Sequence, residues 1–574
     1  MRYRYLGLIG DPAAADALTP KLAALGLQKR LNVGAAALFV SDDTPVLHAP
    51  DDGLLLGRLF DGSGARVENL RRLATGVEQD ALPTWLARRC WGEYLLALRA
   101  ADGGVRLTRD PAPAGAFPCI YAQHQQGAIF ASDIALMREV PFQAGRIDWE
   151  TITRCLAYPQ AKLDRTGIEG VRELLPGSTL HVGTTCRITQ TWSPWTFTEA
   201  NQRHTDPREA AADVRSAVTR AVTAAASDAG TLLLELSGGL DSSVVGICLK
   251  GRSDRVVCST LRAPTPGADE QHYAAQIADR LGAPLHIAEL RLDAAHHHFP
   301  LPVRTPLPRV GALQQTIDAT VQAVAEQLGS GTFLTGGGGD AVFAYLKSAA
   351  PAADAFRSRG VACGTAAVRD LATLHGCTRW KAGKLTLAKL FKRPRDLLAP
   401  DTRFLASQAV LPPPAPHPWL DGADDALPGD RERVFALTVT QMFRDSAPRA
   451  KVRHMEMPLL SQPVVEACLR VPSWMWVAGG RNRAVARDAF ADVLPEDIVR
   501  RRSKGSFMSY IGMVYDRNRR DMRAFLLDGK LHAQGLLDTV ELRRVLDDDR
   551  PLRDRGFIRL FDLCTAENWA RQQG

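Results

Sequence analysis

One stretch constrains this chain more than any other: Thr231 to Lys250, TLLLELSGGLDSSVVGICLK. Leu232, Leu233, Leu234 and Leu236 form an apolar run that reads as a buried strand of a parallel sheet. Val244, Val245, Ile247 and Leu249 resume at a spacing that fits a helix packed on that sheet. Between them stands Ser237-Gly238-Gly239-Leu240-Asp241-Ser242-Ser243. A glycine turn there points free backbone N–H groups and the positive end of a helix dipole at one spot, which suits an anion. The glycines let a phosphate approach the backbone, and Ser237, Ser242 and Ser243 can donate to its oxygens. Asp241 makes sense in such a loop if it holds a divalent cation. No Gly-Lys-Ser/Thr follows, so this is not a Walker loop.

A second stretch repeats the logic. Gly331-Thr332-Phe333-Leu334-Thr335 runs as a strand end into Gly336-Gly337-Gly338-Gly339-Asp340. Around the first loop, Val256–Leu261 and Pro284–Leu290 read as strands and Tyr273–Leu281 as an amphipathic helix. That alternation predicts a doubly wound parallel sheet with its ligand at the strand C-termini.

The rest of the chain bounds the reading. At 574 residues it is too long for one core. The net charge of +8 suits an anionic ligand or an acidic partner, but no basic tail or basic-aromatic repeat points to nucleic acid. The ten cysteines include no Cys-x-x-Cys pair, which fits a reducing cytoplasm and neither a disulfide framework nor a zinc site. No secretory or membrane-spanning run is present, so a cytoplasmic protein is expected. His296-His297-His298 reads as a surface run, because adjacent histidines share no face of a regular element.

Residues 1–195 read as α+β, with strands at Ala36–Val40, Tyr94–Leu98, Val105–Thr108 and Ala128–Ala131 and helices at Gln79–Arg89 and Trp149–Ala157. Residues 193–208, polar and with two prolines, read as a linker to a second domain over 205–574. Within that domain 346–430 is poor in periodicity and reads as an insertion. It carries a basic amphipathic stretch, Arg379 to Arg393, taken as a solvated helix face or a partner-binding one.

The Ser-Gly-Gly-Leu-Asp-Ser-Ser loop resembles the pyrophosphate loop of the ATP pyrophosphatases. Trp91 to Leu98, Arg109-Asp110-Pro111, Phe130 to Leu136 and Leu175-Pro176-Gly177-Ser178 fall, in order, where the glutaminase domain of asparagine synthetase-type enzymes has similar strings. The resemblance implies an Ntn-glutaminase-like sandwich of two antiparallel sheets between helices, followed by an ATP-pyrophosphatase sheet. It also implies ATP and Mg²⁺. Ser237, Gly238, Gly239, Asp241, Ser242, Ser243 and Gly336 would hold nucleotide, Leu261 would lie beside adenine, and Asp241 with Asp340 would hold the metal. Lys504, in Arg501-Arg502-Ser503-Lys504-Gly505, matches a family lysine that contacts phosphates and a developing oxyanion.

Three departures from the family pattern shape the expectation. Where a working glutaminase has its cysteine nucleophile, after the initiator methionine, this chain reads Met1-Arg2-Tyr3, so no glutamine hydrolysis is expected. The acids flanking the second-motif aspartate are replaced by Gly337 and Ala341, which argues against free aspartate as substrate. His454-Met455-Glu456 replaces Glu-x-Arg; the pair could act as general base and orienter, or as a structural ion pair. The resemblance extends to β-lactam synthetases and lasso peptide cyclases, and the widened motif and basic stretch favour the latter. It implies a precursor core peptide as substrate, with a leader peptidase and a leader-binding protein as partners. An ammonia-dependent asparagine synthetase is the alternative.

Overall fold

The computed structural model describes residues 3–573 apart from 11, 34–35, 101–102, 125–126, 141–144, 184–185, 228–229, 265–269, 302–304, 392–396, 423–424, 503–504, 506 and 549–555. The first third is a four-layer sandwich built on two six-stranded sheets. One runs in the order Val171–Leu174, Cys119–His124, Gly127–Ala131, Tyr5–Ile9, Ala36–Ser41, Leu27–Val33. The other runs Cys186–Gln190, Ser178–Val182, Val105–Arg109, Cys90–Arg99, Leu54–Asp61, Val46–His48. Their neighbouring strands pair antiparallel. Alternation along a strand divides the side chains between two cores. Tyr5 and Ile9 face the space between the sheets with Leu56, Leu95 and Phe130, while Leu6 and Leu8 face outward under helices.

The helix Leu82–Arg89 covers the outer face of the second sheet through Leu82 and Leu86. The outer face of the first sheet has an unexpected cover. Ile152 and Leu156 of the helix Trp149–Ala157 share one core with Leu526, Leu563 and Trp569 near the end of the chain. The turn between residues 193 and 208 thus separates the two antiparallel sheets from the rest of the chain, yet one hydrophobic core runs across it. Prolines and short 3₁₀ turns, Pro194–Thr198 and Ala200–Gln202, occupy it.

Beyond it lies a five-stranded parallel sheet in the order Leu285–Glu289, Val256–Arg262, Leu232–Glu235, Thr332–Thr335, His454–Glu456. Leu232, Leu233 and Leu234 are buried, and each full burial contributes roughly 1.5–3 kcal/mol. The chain steps outward from Leu232–Glu235 in one direction, then returns to its other side with Thr332–Thr335. Between these two strands the winding reverses, and a crevice opens there at the strand C-termini. Each strand runs into one of the two glycine motifs.

Two sequence expectations change here. Residues 350–391 are a helical hairpin, Ala350–Leu374 and Arg379–Phe391. Its contact face is largely alanine, including Ala352, Ala355 and Ala367, which gives little hydrophobic contrast. His297 is buried against Asn518 and Phe525 and is not part of a surface run. No described helix is long and apolar enough to cross a membrane, and all ten cysteines are free.

Candidate active site

The two glycine motifs pack directly on each other. The first follows Leu232–Glu235 and leads into the helix Leu240–Ile247, with Gly239 at its N-cap. The second follows Thr332–Thr335 and leads into the turn Gly339–Val342. A Cβ on Gly336 would lie 2.5 Å from the Ser242 amide nitrogen, and one on Gly339 would overlap the Asp241 side chain. Gly338 has φ +88°, and a Cβ there would strike Leu460. Three glycines of this run are therefore required by packing, and the run is not a flexible spacer.

Between the motifs opens a cavity of about 650 Å³. Ser237, Gly239, Asp241 and Ser242 line one side, Gly336 to Asp340 the other, and Ser259 and Leu261 the floor. Ser237 and Ser242 form a hydroxyl pair at 3.1 Å. The buried Ser259 hydroxyl has no hydrogen-bond partner among the described residues. A cleft floored by an unpartnered hydroxyl and edged by a helix N-terminus fits a phosphate-bearing ligand.

Asp241 and Asp340 converge on one atom. Nη1 of Arg483 donates to both Asp241 oxygens at 3.0 Å and to Oδ1 of Asp340 at 2.9 Å. One cation between the two carboxylates would be within reach of both, and their hard oxygens suit Mg²⁺. Arg483 adopts the left-handed region, φ 53°, at the start of the helix Ala484–Ala489 and stacks over Tyr345. One turn on, Arg487 donates to the carbonyls of Ile498, Val499 and Arg501. Burial, then Arg483 and Arg481, push its guanidinium down to about 10.

A third arginine closes the side of the cleft next to the first loop. Arg501 lies over the Tyr273 ring, donates to the Gly238 carbonyl and pairs with Glu270. Deeper, Arg449 bridges Glu235 and Asp318. The lining also has apolar groups, Phe435, Val439, Phe443, Val321 and Phe507, and Gln160 joins it from the first third of the chain.

A family model described as asparagine synthase matches residues 213–571. The chain belongs to the asparagine synthase family. No curated protein matches it significantly. Membership supports ATP-dependent amide-bond formation, and the two glycine motifs are where this family member gathers its acidic and phosphate-facing groups.

Not every residue expected from the sequence reaches the cleft. Ser243 is buried with its hydroxyl turned away, and Gly238 offers only a carbonyl to Arg501. Lys504 lies outside the described residues, though its neighbours Arg501 and Phe507 line the cavity. His454 and Glu456 are a correction. They sit on the edge strand, buried, and do not line the cleft. Arg58, from the antiparallel strand Leu54–Asp61, donates to Glu456 and lies 2.6 Å from Nε2 of His454. Burial pushes the Glu456 carboxyl up, but Arg58 and then His454 more than offset this and hold it well below the usual range. This is the structural ion pair, and it offers no base to the cleft.

Arg483, Arg487, Arg501 and Gln160 were given no role from sequence. The arginines had a weak signal, since Arg483 and Arg487 are spaced i,i+4 after the apolar run 473–480.

Proposed function

We propose that this protein is a lasso peptide cyclase. It adenylates an Asp or Glu side chain of a precursor core peptide with ATP, and the peptide's N-terminal amine then closes a macrolactam. The observation that carries this reading is the mixed lining of the cleft. Polar and cationic groups that suit a nucleotide share it with Phe435, Val439, Phe443 and Phe507, which suit a bulky acyl donor. Free aspartate would bring two carboxylates and an ammonium beside these apolar side chains, which cannot pair them.

In the first step a carboxylate oxygen attacks the α-phosphorus, the bond to the β-phosphate oxygen breaks, and pyrophosphate leaves. The amides of the first loop with Ser237 and Ser242 hold the phosphates. Asp241 and Asp340 would hold Mg²⁺, which neutralises the leaving pyrophosphate. Arg483 gives up its two aspartates and turns its charge toward the phosphates, and Lys504 adds a second positive charge to them. In the second step the amine nitrogen attacks the acyl carbon and Lys504 stabilises the oxyanion that forms there. The bond from the acyl carbon to the phosphate oxygen breaks, AMP leaves, the proton from the amine passes to solvent, and the product is the peptide less one water. Apolar walls keep bulk water from the adenylate. The first third then serves as a scaffold without glutaminase chemistry. Its first cysteine, Cys90, is buried, and burial pushes its thiol up to about 11.

The deciding experiment is pyrophosphate release from Mg-ATP with mass spectrometry of core peptides encoded in neighbouring reading frames. The reading requires AMP, pyrophosphate and a peptide lighter by one water. Pyrophosphate release with aspartate and ammonium, and no change in any peptide, would instead assign an ammonia-dependent asparagine synthetase. Turnover of a small β-amino acid would assign a β-lactam synthetase-like enzyme.

A further inference from the structure

The outer helix of the hairpin, Arg379–Phe391, is amphipathic in an unusual sense. Its inner face is small and buried, with Ala382 and Thr386 against the fold. Its outer face carries the large groups: Trp380 is 83% exposed, Leu387 55% and Phe391 82%. With Lys384 these occupy positions i, i+4, i+7 and i+11, one stripe of a helix. An ordinary solvated face would put charge there and turn the tryptophan inward. The stripe runs about 16 Å from Trp380 to Phe391 at 1.5 Å per residue.

The charge around it is one-sided. Between positions 355 and 391 the chain has seven arginines and lysines and a single acid, Asp370. Arg379, Lys381 and Lys384 have no ion-pair partner among the described residues. Lys389 instead turns inward to Glu432, at 2.7 Å. Glu432 lies on the helix Pro428–Thr440, the same helix that carries Phe435 and Val439 into the cleft. The stripe is therefore tied to a wall of the cleft.

We propose that the outward face of Arg379–Phe391 docks an acidic amphipathic helix of a partner protein. The apolar stripe supplies a knobs-and-holes seam, and the flanking cations select acidic rims. A second copy of this chain fits poorly, because the face that would meet the stripe on its twin is equally basic. A bilayer also fits poorly. The neighbouring helix exposes Val361, but Arg357, Arg359, Thr365 and Arg369 surround it with charge and polarity, so the apolar strip does not widen into a surface. The proposal is independent of which carboxylate the cleft activates.

The test is fluorescence anisotropy of a labelled acidic amphipathic peptide of about four helical turns, with leucines on one face and glutamates on its rims, titrated with the full chain. A shuffled peptide of the same composition is the control. The expected result is saturable binding that the shuffled peptide, Trp380→Ala with Phe391→Ala, and Lys381→Glu with Lys384→Glu each weaken by about tenfold or more. Unaltered ATP-dependent pyrophosphate release in these variants checks that they fold. Equal binding of acidic and shuffled peptides, or equal binding by wild type and the Trp380/Phe391 variant, would overturn the proposal. So would sedimentation of the protein with anionic phosphatidylserine vesicles without peptide binding. So too would a dimer of the wild-type chain that the Trp380/Phe391 variant loses.

Discussion

Two of the arginines that sit between carboxylates in this chain do different things. Arg58 lies among Glu93, Glu456 and His454; Arg483 lies between Asp241 and Asp340. Arg58 comes from the strand Leu54–Asp61 of the antiparallel sandwich and reaches the edge strand of the parallel sheet. All of its partners are buried or half-buried. Glu93 is held from its other side by Arg444. Glu93, His454 and Glu456 could geometrically enclose a metal ion, but the guanidinium already occupies their centre. Arg483 comes from a left-handed residue at the lip of the cleft, and the Asp340 side chain is 40% exposed. The same three charges make a rivet when they are sealed between sheets, and an exchangeable site when one side is open to a cavity.

The largest expected effect tests the open site. Asp241→Asn or Asp340→Asn is expected to lower pyrophosphate release by about 10²–10³-fold, the loss typical of removing one preorganised electrostatic group. The midpoint of urea unfolding is expected to move little. A matching loss of activity in Glu456→Gln, with unchanged stability, would break the distinction between the two clusters. The next effect tests the rivet. Arg58→Ala leaves Glu456 and Glu93 without their shared cation and is expected to cost roughly 3–5 kcal/mol in urea unfolding. Arg58→Met combined with Glu456→Leu removes both charges and is expected to recover most of that loss. A neutral Arg58→Ala would mean that the first sheet pair is not fastened to the parallel sheet through this residue.

How much of this could be read from sequence depends on distance along the chain. The nucleotide loops were legible because strand, glycine turn and helix are contiguous, and Ser237 to Asp241 encode their own geometry. Asp340 was legible for the same reason. His454 and Glu456 were legible as a pair, since i and i+2 share a face of a strand. Their role was not, because Arg58 stands 396 and 398 residues away. Arg483 was hidden by abundance: in an arginine-rich chain nothing local says which guanidinium meets which acid. The hairpin at 350–391 was hidden by alanine, which packs tightly yet carries little hydrophobic contrast. The shared core of Leu6, Ile152 and Trp569 was hidden by chain order, which suggests two domains where the packing joins them.

A smaller effect bears on exchange at the open site. If Arg483 holds the place of a cation, Arg483→Gln is expected to tighten Mn²⁺ binding to the nucleotide-free protein by about tenfold, a coupling in the usual 1–3 kcal/mol range. Electron paramagnetic resonance of free Mn²⁺ measures this without turnover. Unchanged or weaker binding would mean that Arg483 organises the two aspartates and does not compete for them.

The smallest effect asks whether a neighbouring guanidinium is what decides the state of a buried acid. Asp110 is as deeply buried as Glu456, but among the described residues its oxygens accept from the backbone of Tyr94 and Ala112. Arg109 beside it is committed to Glu173. Burial therefore pushes the Asp110 carboxyl up to about 7, against the pull of Arg109. The sign of the pH dependence differs between the two acids. An unfolded Asp titrates near 3.9. The folded chain keeps a proton on Asp110 that the unfolded chain releases. Its contribution is therefore fully present below about pH 4 and is lost as pH rises through about 7. Glu456, held below its usual range, contributes above the ordinary carboxylate pKa and loses that contribution only as pH falls. Asp110→Asn, which keeps the neutral shape, is expected to flatten the decline in urea midpoint between pH 4 and 8 while leaving the acid limb to Glu456. If the decline persists in that variant, a different buried acid sets it, and Asp110 is not the group whose proton the folded chain keeps.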